Sequence, residues 1–386
     1  MALRKKIAVI LSRFPYPLDK GDKLRAFHQI QYLSTFHDIY LFVLTEQEIS
    51  QEHLAILQPI CKNITQYRLS LIDKIVQIGL SAFKQIPVQV GYFFSSSIKR
   101  KMHLDIHQLK PNVVYCQLSR TAEYGKNLPY PKIIDFQDAF STNYSRIKEQ
   151  YVGPKKWFYA RESALMKKYE INMLTWFDKC TIISEFDRQE IASNSQNLFV
   201  VPNGVDTDYF KTKSLAKTYD ILFLGNLSYI PNRQAAIYLI QKICPLLLAY
   251  KKDIKILIAG TSPGPLTQYA TANIDIPGWM PDIRVAYEKS SIFVAPLFSG
   301  AGLQNKLLEA MSMELPCITT PIVNLSLQAT ENKEILLAKN EKEFVKQIIS
   351  LLEDPTLNTY IKSNASTFVH ENYPWNKANQ KLLELI

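Results

Sequence analysis

"SIFVAPLFSGAGLQNKLLEAMSMELPCITT", residues 291–320, reads as strand, small-residue loop, helix and strand in direct succession. Its outer runs, "SIFVAP" and "LPCITT", are short and continuously apolar, as strands buried on both faces are. In the loop Gly300 and Gly302 flank Ala301, so the backbone can turn tightly and leave its amides open. On the helical period Asn305, Lys306, Glu309 and Ser312 share one side, while Leu303, Leu307, Leu308, Ala310 and Met311 fill the other. Two readings of the polar stripe stand. It is a solvated face carrying an i,i+3 Lys–Glu pair, worth a few tenths of a kcal/mol. Or it grips an anion, since the free N–H groups and the positive end of the helix dipole meet at that loop.

The same succession runs through most of the chain. "KIAVILS", "IYLFVLT", "NVVYCQL", "KIIDFQD", "KCTIISE" and "NLFVVPN" are strand candidates in the first half, with helical patterns between them, notably at 22–35 and 155–176. After residue 204 the pattern restarts with "YDILFLGNL", "IKILIAGTS", "SIFVAPL", "PCITTPI" and "EILLAK", and helices are expected near 232–249, 282–290, 303–313 and 341–353. Such alternation predicts α/β architecture with parallel sheets covered by helices. The turn-rich, charged stretch "VPNGVDTDYFKTKSLAKTYD" separates the halves. The expected domains are 1–203 and 204–366, each a doubly wound Rossmann-like sheet, followed by a terminal segment 367–386. Ligands of such sheets lie outside the carboxyl ends of the strands.

Composition narrows the class. A chain of 386 residues suits two cores, and 47% apolar with 21% charged residues is globular usage. The five cysteines are scattered, which argues against a zinc site or a disulfide framework and for a reducing compartment. "IAVIL" near the N-terminus is too short for a signal-peptide core, and no apolar stretch approaches a membrane span. A cytoplasmic location is expected. The net charge of +10 suits an anionic partner, but the basic residues are dispersed and no RNA-binding signature is present. Nucleic acid is not expected as a partner. Segment 69–97 is apolar with scattered Lys and Gln, and reads either as helices on the first sheet or as a face touching an anionic membrane or a lipid-linked substrate.

Two further strand-to-loop junctions resemble the opening one. "ILFLGNLSYIPNRQAA" at 221–236 has a Gly225-Asn226 turn before a helix opening near Pro231 and Asn232. "SRFPYPLDKGDKLRAFHQI" at 12–30 has Gly21 ahead of a helix with Lys23, Arg25 and His28. "DFQDAFS" puts Asp135 and Asp138 at a strand end, where they are either chemistry or helix caps. Walker loops, Gly-x-Ser-x-Gly and His-Glu-x-x-His are absent. His103 and His107 are spaced for one helix face but lack a third ligand, so no metal is expected.

Nearly the whole chain resembles the family 4 glycosyltransferases, retaining nucleotide-sugar enzymes of GT-B fold. The resemblance is carried by "VVPNGVDTDYF" at 200–210, "ILFLGNLSYIPN" at 221–232, 276–320 and the terminal "FVHENYPWNKANQKLLELI". Within that family "PLDKGDKLRAFHQIQYLS", "DFQDAFS" and "YARESALMKKYE" are similar to an exopolysaccharide-associated subgroup of sugar transferases. The resemblance implies two Rossmann-like domains facing a cleft, with a C-terminal helix crossing back to the first. It places Gly21 near the donor diphosphate, Gly278, Trp279 and Met280 against the base, Glu309 on the ribose, and amides around Gly300, Gly302 and Leu303 on the diphosphate. Gly225, Asn226, Arg233, Asn305 and Lys306 complete the implied donor site. The chain departs from the family in four respects: Ala301 and Gln137 replace its Glu and His, Asn226 with Pro231-Asn232 replaces an Arg…Lys pair, and Glu314 replaces the Gly expected to cap the helix.

The expected activity is metal-independent, retaining transfer of a hexose from a nucleotide-diphosphate sugar to a hydroxyl of a glycan or lipid-linked glycan, without a cofactor. Lys306 would stabilise the leaving diphosphate, and Asp138 would position the acceptor. Beside this stand a GT-B nucleotide-sugar epimerase and a non-catalytic nucleotide-sugar-binding member of a polysaccharide complex.

Overall fold

A computed structural model describes residues 3–386 except Gln150, Ser214, Gly300 and Ala301, and gives no side chain for Ala82. The chain divides into two compact units, residues 1–202 with 378–386, and residues 203–377.

The first unit is built on seven strands: β1 (Lys6–Leu11), β2 (Asp38–Thr45), β3 (Asn63–Arg68), β4 (Val113–Gln117), β5 (Lys132–Asp135), β6 (Lys179–Ile182) and β7 (Leu198–Val200). They pair in parallel in the order β3-β2-β1-β4-β5-β6-β7. Central β1 shows why its sequence is continuously apolar. Ile7, Val9 and Leu11 enter the core on one face, and Ala8 and Ile10 enter a second core on the other. The chain order reverses between β1 and β4, so the topological switch point lies at their carboxyl ends.

The second unit repeats the plan with β8 (Tyr219–Leu224), β9 (Ile256–Ala259), β10 (Ile274–Gly278), β11 (Ser290–Ala295), β12 (Cys317–Thr319) and β13 (Leu336–Leu337). The order is β10-β9-β8-β11-β12-β13, again parallel. Here the reversal falls between β8 and β11. Both units are therefore Rossmann-like, as the alternating pattern predicts.

Two strands, β3 and β10, are absent from the sequence-based reading. Both are sheet edges, and β3 is largely exposed while β10 alternates buried and exposed residues. "NITQYR" and the proline-containing "IDIPG" therefore lack the continuous apolar signal of the inner strands. The helix expected at 282–290 is confined to Arg284–Glu288. The end of the last helix (Trp375–Leu385) belongs to the first unit. Leu382 enters a core there, Asn379 donates to the His28 carbonyl (3.0 Å), and Lys179 donates to the Leu385 carbonyl (2.6 Å).

One buried ion pair fixes the helix Gly21–Phe36 against the first sheet. Arg25 and Asp135 are both fully buried and meet through two parallel bonds, Nε to Oδ2 (2.5 Å) and Nη2 to Oδ1 (2.9 Å). Thr181 donates to the same carboxylate (2.8 Å), and Arg25 donates to the carbonyls of Val201 (2.9 Å) and Pro202 (3.2 Å). Asp135 is thus engaged in this buried pair rather than in a helix cap. Removing one partner leaves an uncompensated buried charge. Asp135→Ala is expected to destabilise the fold by about 3–5 kcal/mol, measured as a lower denaturation midpoint of the full chain.

Candidate functional site

In the second unit the predicted residues gather where β8, β9 and β11 run out. The exits of β8 and β9 are pressed together. A Cβ on Gly260 would sit 1.8 Å from the Gly225 carbonyl oxygen, and one on Gly225 would sit 2.8 Å from Asn232 Nδ2. Asn226 folds its Oδ1 back onto the Ser228 amide (3.0 Å) and hydroxyl (2.7 Å), so its side chain closes the turn. Asn232 spans the junction, donating to the Asn226 carbonyl (3.0 Å) and accepting from Lys306 Nζ (2.5 Å). Arg233 follows on the same helix (Ile230–Tyr238), half-buried and without a side-chain hydrogen bond or ion pair among the described residues.

The opening stretch supplies the other side. Gly302 adopts φ 105°, Leu303 is buried, and the helix Asn305–Ser312 begins without a side-chain cap. Its first amides are thereby open to an acceptor. Gly300 and Ala301 lie outside the described residues. The i,i+3 Lys306–Glu309 surface pair does not form: Lys306 reaches Asn232, and Glu309 Oε2 accepts from the buried Tyr287 hydroxyl (2.7 Å). Glu309 Oε1 has no hydrogen-bond partner among the described residues. Ser312 donates to the Phe210 carbonyl (2.8 Å), and Asn305 accepts from Asn203 (3.0 Å). The stripe is thus engaged at four points rather than solvated. Glu314 takes the left-handed cap itself (φ 55°), with the Leu315 amide bonded back to the Ala310 carbonyl (2.9 Å).

Burial acts oppositely on the two charged groups. It pulls the Lys306 ammonium down to about 7, against the opposing charge of Glu309, and pushes the Glu309 carboxyl up, against Tyr287 and Lys306. At the end of β10 Gly278 has φ 80°, Trp279 leaves two-thirds of its surface exposed (66%), and Met280 is half-buried. An exposed indole offers a platform on which a planar ring can stack.

In the first unit Gly21 opens its helix, with Gln137 Nε2 3.6 Å from where a Cβ would lie. Gln137 is buried at φ 64°, and its Oε1 has no hydrogen-bond partner among the described residues. Asp138 follows. Burial and the charge of Asp187 raise its carboxyl well above the usual range, with Arg25 opposing. It caps no helix, since the next one (Phe140–Lys148) starts from Ala139 without a side-chain cap. His103 and His107 bond the Tyr124 carbonyl (2.7 Å) and the Tyr130 hydroxyl (3.2 Å). Among the described residues no group of three His, Cys, Asp or Glu could hold a metal ion, and the five cysteines are free and buried. Asn232 as the anchor of Lys306, and Tyr287 under Glu309, were not foreseen from sequence. Each lies far along the chain from the group it holds.

Residues 218–354 match the family model described as "Glycosyl transferases group 1". A relative named "Uncharacterized 44.6 kDa protein in cps region" from Klebsiella pneumoniae is 26% identical over 385 residues, covering 95% of this chain and 96% of that one. Among solved structures, sucrose-phosphate synthase from Thermosynechococcus elongatus superposes with TM-score 0.72 at 15% identity, covering 99% of this chain and 98% of that one. Anabaena HepE in complex with UDP and glucose gives TM-score 0.70 at 11% identity, with 99% of each chain covered. The architecture is that of GT-B glycosyltransferases. Residues 218–354, which span the second sheet, are thus similar to a group 1 glycosyl transferase domain.

The Lys306 ammonium is expected to titrate near 7 in ¹³Cε NMR of labelled lysines, and lower still in Glu309→Gln, which removes the charge that supports it. An amine lowered in the folded chain alone penalises stability fully below about 7, and the penalty fades as pH rises toward the unfolded lysine range. Lys306→Met should therefore raise the thermal midpoint at pH 6–8.

Proposed function

We propose that the protein transfers a hexose from a nucleotide-diphosphate sugar to a hydroxyl of a glycan or lipid-linked glycan, with retention, in cell-surface or extracellular polysaccharide synthesis. The observation that carries this is the pairing of an uncapped helix end with Lys306 and Glu309 at the strand exits of the group 1 domain. The relative from a cps region and the HepE complex with UDP and glucose support the same reading.

In this reading the open amides after Gly302, with Lys306 and Arg233, receive the diphosphate. Glu309 Oε1 accepts from the ribose hydroxyls while Tyr287 holds its other oxygen. As the bond from the sugar to the diphosphate breaks, charge grows on the leaving oxygen, and the Lys306 ammonium, held in place by Asn232, stabilises it. Retention follows from attack on the face that the diphosphate leaves, the leaving phosphate taking the acceptor's proton. Asp138, whose carboxyl is raised by burial, would hold the acceptor hydroxyl.

A membrane contact is part of this proposal. None of the described helices is long and apolar enough to cross a membrane. The helix Leu71–Lys84 nevertheless exposes Leu71, Ile72, Ile75, Val76 and Phe83, the last at 87%. Arg161 donates to its Ser81 carbonyl (3.5 Å), which brings the helix Pro154–Trp176, with exposed Trp157 and its neighbours Lys155 and Lys156, alongside. An apolar stripe beside lysines suits the interface of an anionic bilayer.

Calorimetry of the full chain with UDP, GDP, ADP and their sugars is expected to select one base. Glu309→Ala should weaken that nucleotide at least tenfold and abolish transfer; near-normal turnover would remove the ribose assignment. Ile75→Asp with Phe83→Asp should abolish co-sedimentation with phosphatidylglycerol vesicles without lowering the thermal midpoint, and undiminished co-sedimentation would place the contact elsewhere.

A further inference from the structure

The strand exits of the first unit hold a second group of charges that the donor reading does not use. Arg13 follows β1, and Arg120 lies in the turn after β4 (Ser119–Thr121), on the two sides of the topological switch point. Both converge on a single carboxylate oxygen, Asp22 Oδ2, at 3.1 Å from Arg13 Nη1 and 3.6 Å from Arg120 Nη1. Both guanidinium groups also lie by the Phe93 ring, 5.7 and 5.0 Å from its centroid. Two permanent cations against one acid leave an excess positive charge. Arg120 Nε and Nη1 are buried with no hydrogen-bond partner among the described residues. Unused donors on a buried guanidinium are costly, and a ligand with several acceptor oxygens would satisfy them. Burial and the neighbouring charge of Arg13 hold Arg120 below the usual arginine range, with Asp22 opposing.

The backbone around these groups is unusual in the same place. Leu118, at the exit of β4, has φ 68° and ψ 153°, a region that side chains other than glycine rarely enter. Gln137, at the exit of neighbouring β5, is also left-handed, and its buried Oε1 is unpartnered among the described residues. Asp22 is the second residue of the helix Gly21–Phe36, whose first turn has no side-chain cap, and Gln117 donates to the Asp22 carbonyl (3.1 Å). Arg13, Arg120, the first amides of that helix and Gln137 are thus joined through Gly21 and Asp22.

We propose that these groups form a phosphate-binding site that recognises a sugar acceptor carrying a phosphate ester or diphosphate. The guanidinium forks take the phosphate oxygens, and Gln137 Oε1 accepts from a hydroxyl of the same substrate. The acceptor assignment rests on the transfer reading above, in which the donor's own diphosphate is met by Lys306 and the helix Asn305–Ser312 of the second unit; phosphate binding itself does not.

Inorganic phosphate titrated into the full chain, followed by ³¹P NMR with and without saturating UDP, tests both parts. Binding is expected in the presence of UDP, weakened at least tenfold by Arg120→Gln and by Arg13→Gln. Arg120→Lys, which keeps the charge and loses the fork, should fall between them and the unaltered chain, and the thermal midpoint of each variant shows whether it folds. Phosphate binding that none of the three folded variants changes overturns the site. Phosphate binding that UDP abolishes overturns the acceptor assignment, because the anion would then be the donor's. UDP affinity untouched by the arginine substitutions keeps the donor reading separate, so either reading can fail alone.

Discussion

The Arg25–Asp135 pair is the constraint on which the first unit's candidate site depends. A guanidinium and a carboxylate lie fully buried with two parallel bonds, and the remaining donors reach the carbonyls that follow β7. Desolvation of both ions is costly, so the pair is poor evidence for net stability. What it supplies is register. Arg25 stands one turn from Gly21, and Asp135 two residues from Gln137, so fixing the pair fixes the helix end against the exit of β5. The approach between Gly21 and Gln137 Nε2 is a consequence of that geometry.

The second unit reaches a comparable result by a different route. Among the described residues no buried ion pair ties its helix to the sheet. Close backbone approach does so instead: Gly225 and Gly260 admit no side chain, and this brings Asn232 under the exit of β8, where its amide holds Lys306. The ammonium is therefore positioned by a neutral partner that does not cancel its charge. A carboxylate in the place of Asn232 would raise the amine's pKa and neutralise its field, while a neutral amide leaves the field available to an anion.

Much of the fold was legible because burial on both faces writes a continuous apolar run, as in "KIAVIL" and "SIFVA". The edge strands β3 and β10 escaped because one side of each meets solvent and the run is broken. The site was legible only as far as helical periodicity reaches. Periodicity put Asn305, Lys306, Glu309 and Ser312 on one side, but it could not say what lies across from them. Tyr287 and Asn232, which decide that the stripe is engaged and not solvated, belong to other elements. Arg13 and Arg120 carry no signal at all in a linear reading. Their relation arises from the adjacency of β1 and β4, which are neighbours in the sheet though two strands intervene in the chain.

The two proposed anion grips differ in the chemistry of their cations, and the difference has a physical consequence. A guanidinium remains charged even where burial lowers it, so the Arg13–Arg120 group presents the same field across the physiological range. Lys306 is a lysine held near neutrality, and its charge depends on what stands beside it. An arriving diphosphate would raise the amine's pKa and draw in a proton; departure would release it. A cation that strengthens as negative charge grows nearby responds to the leaving group more than to the intact donor, and only such differential stabilisation accelerates a reaction. A fixed charge suits recognition of a substrate whose phosphate does not change during transfer. A titratable one suits the phosphate that does.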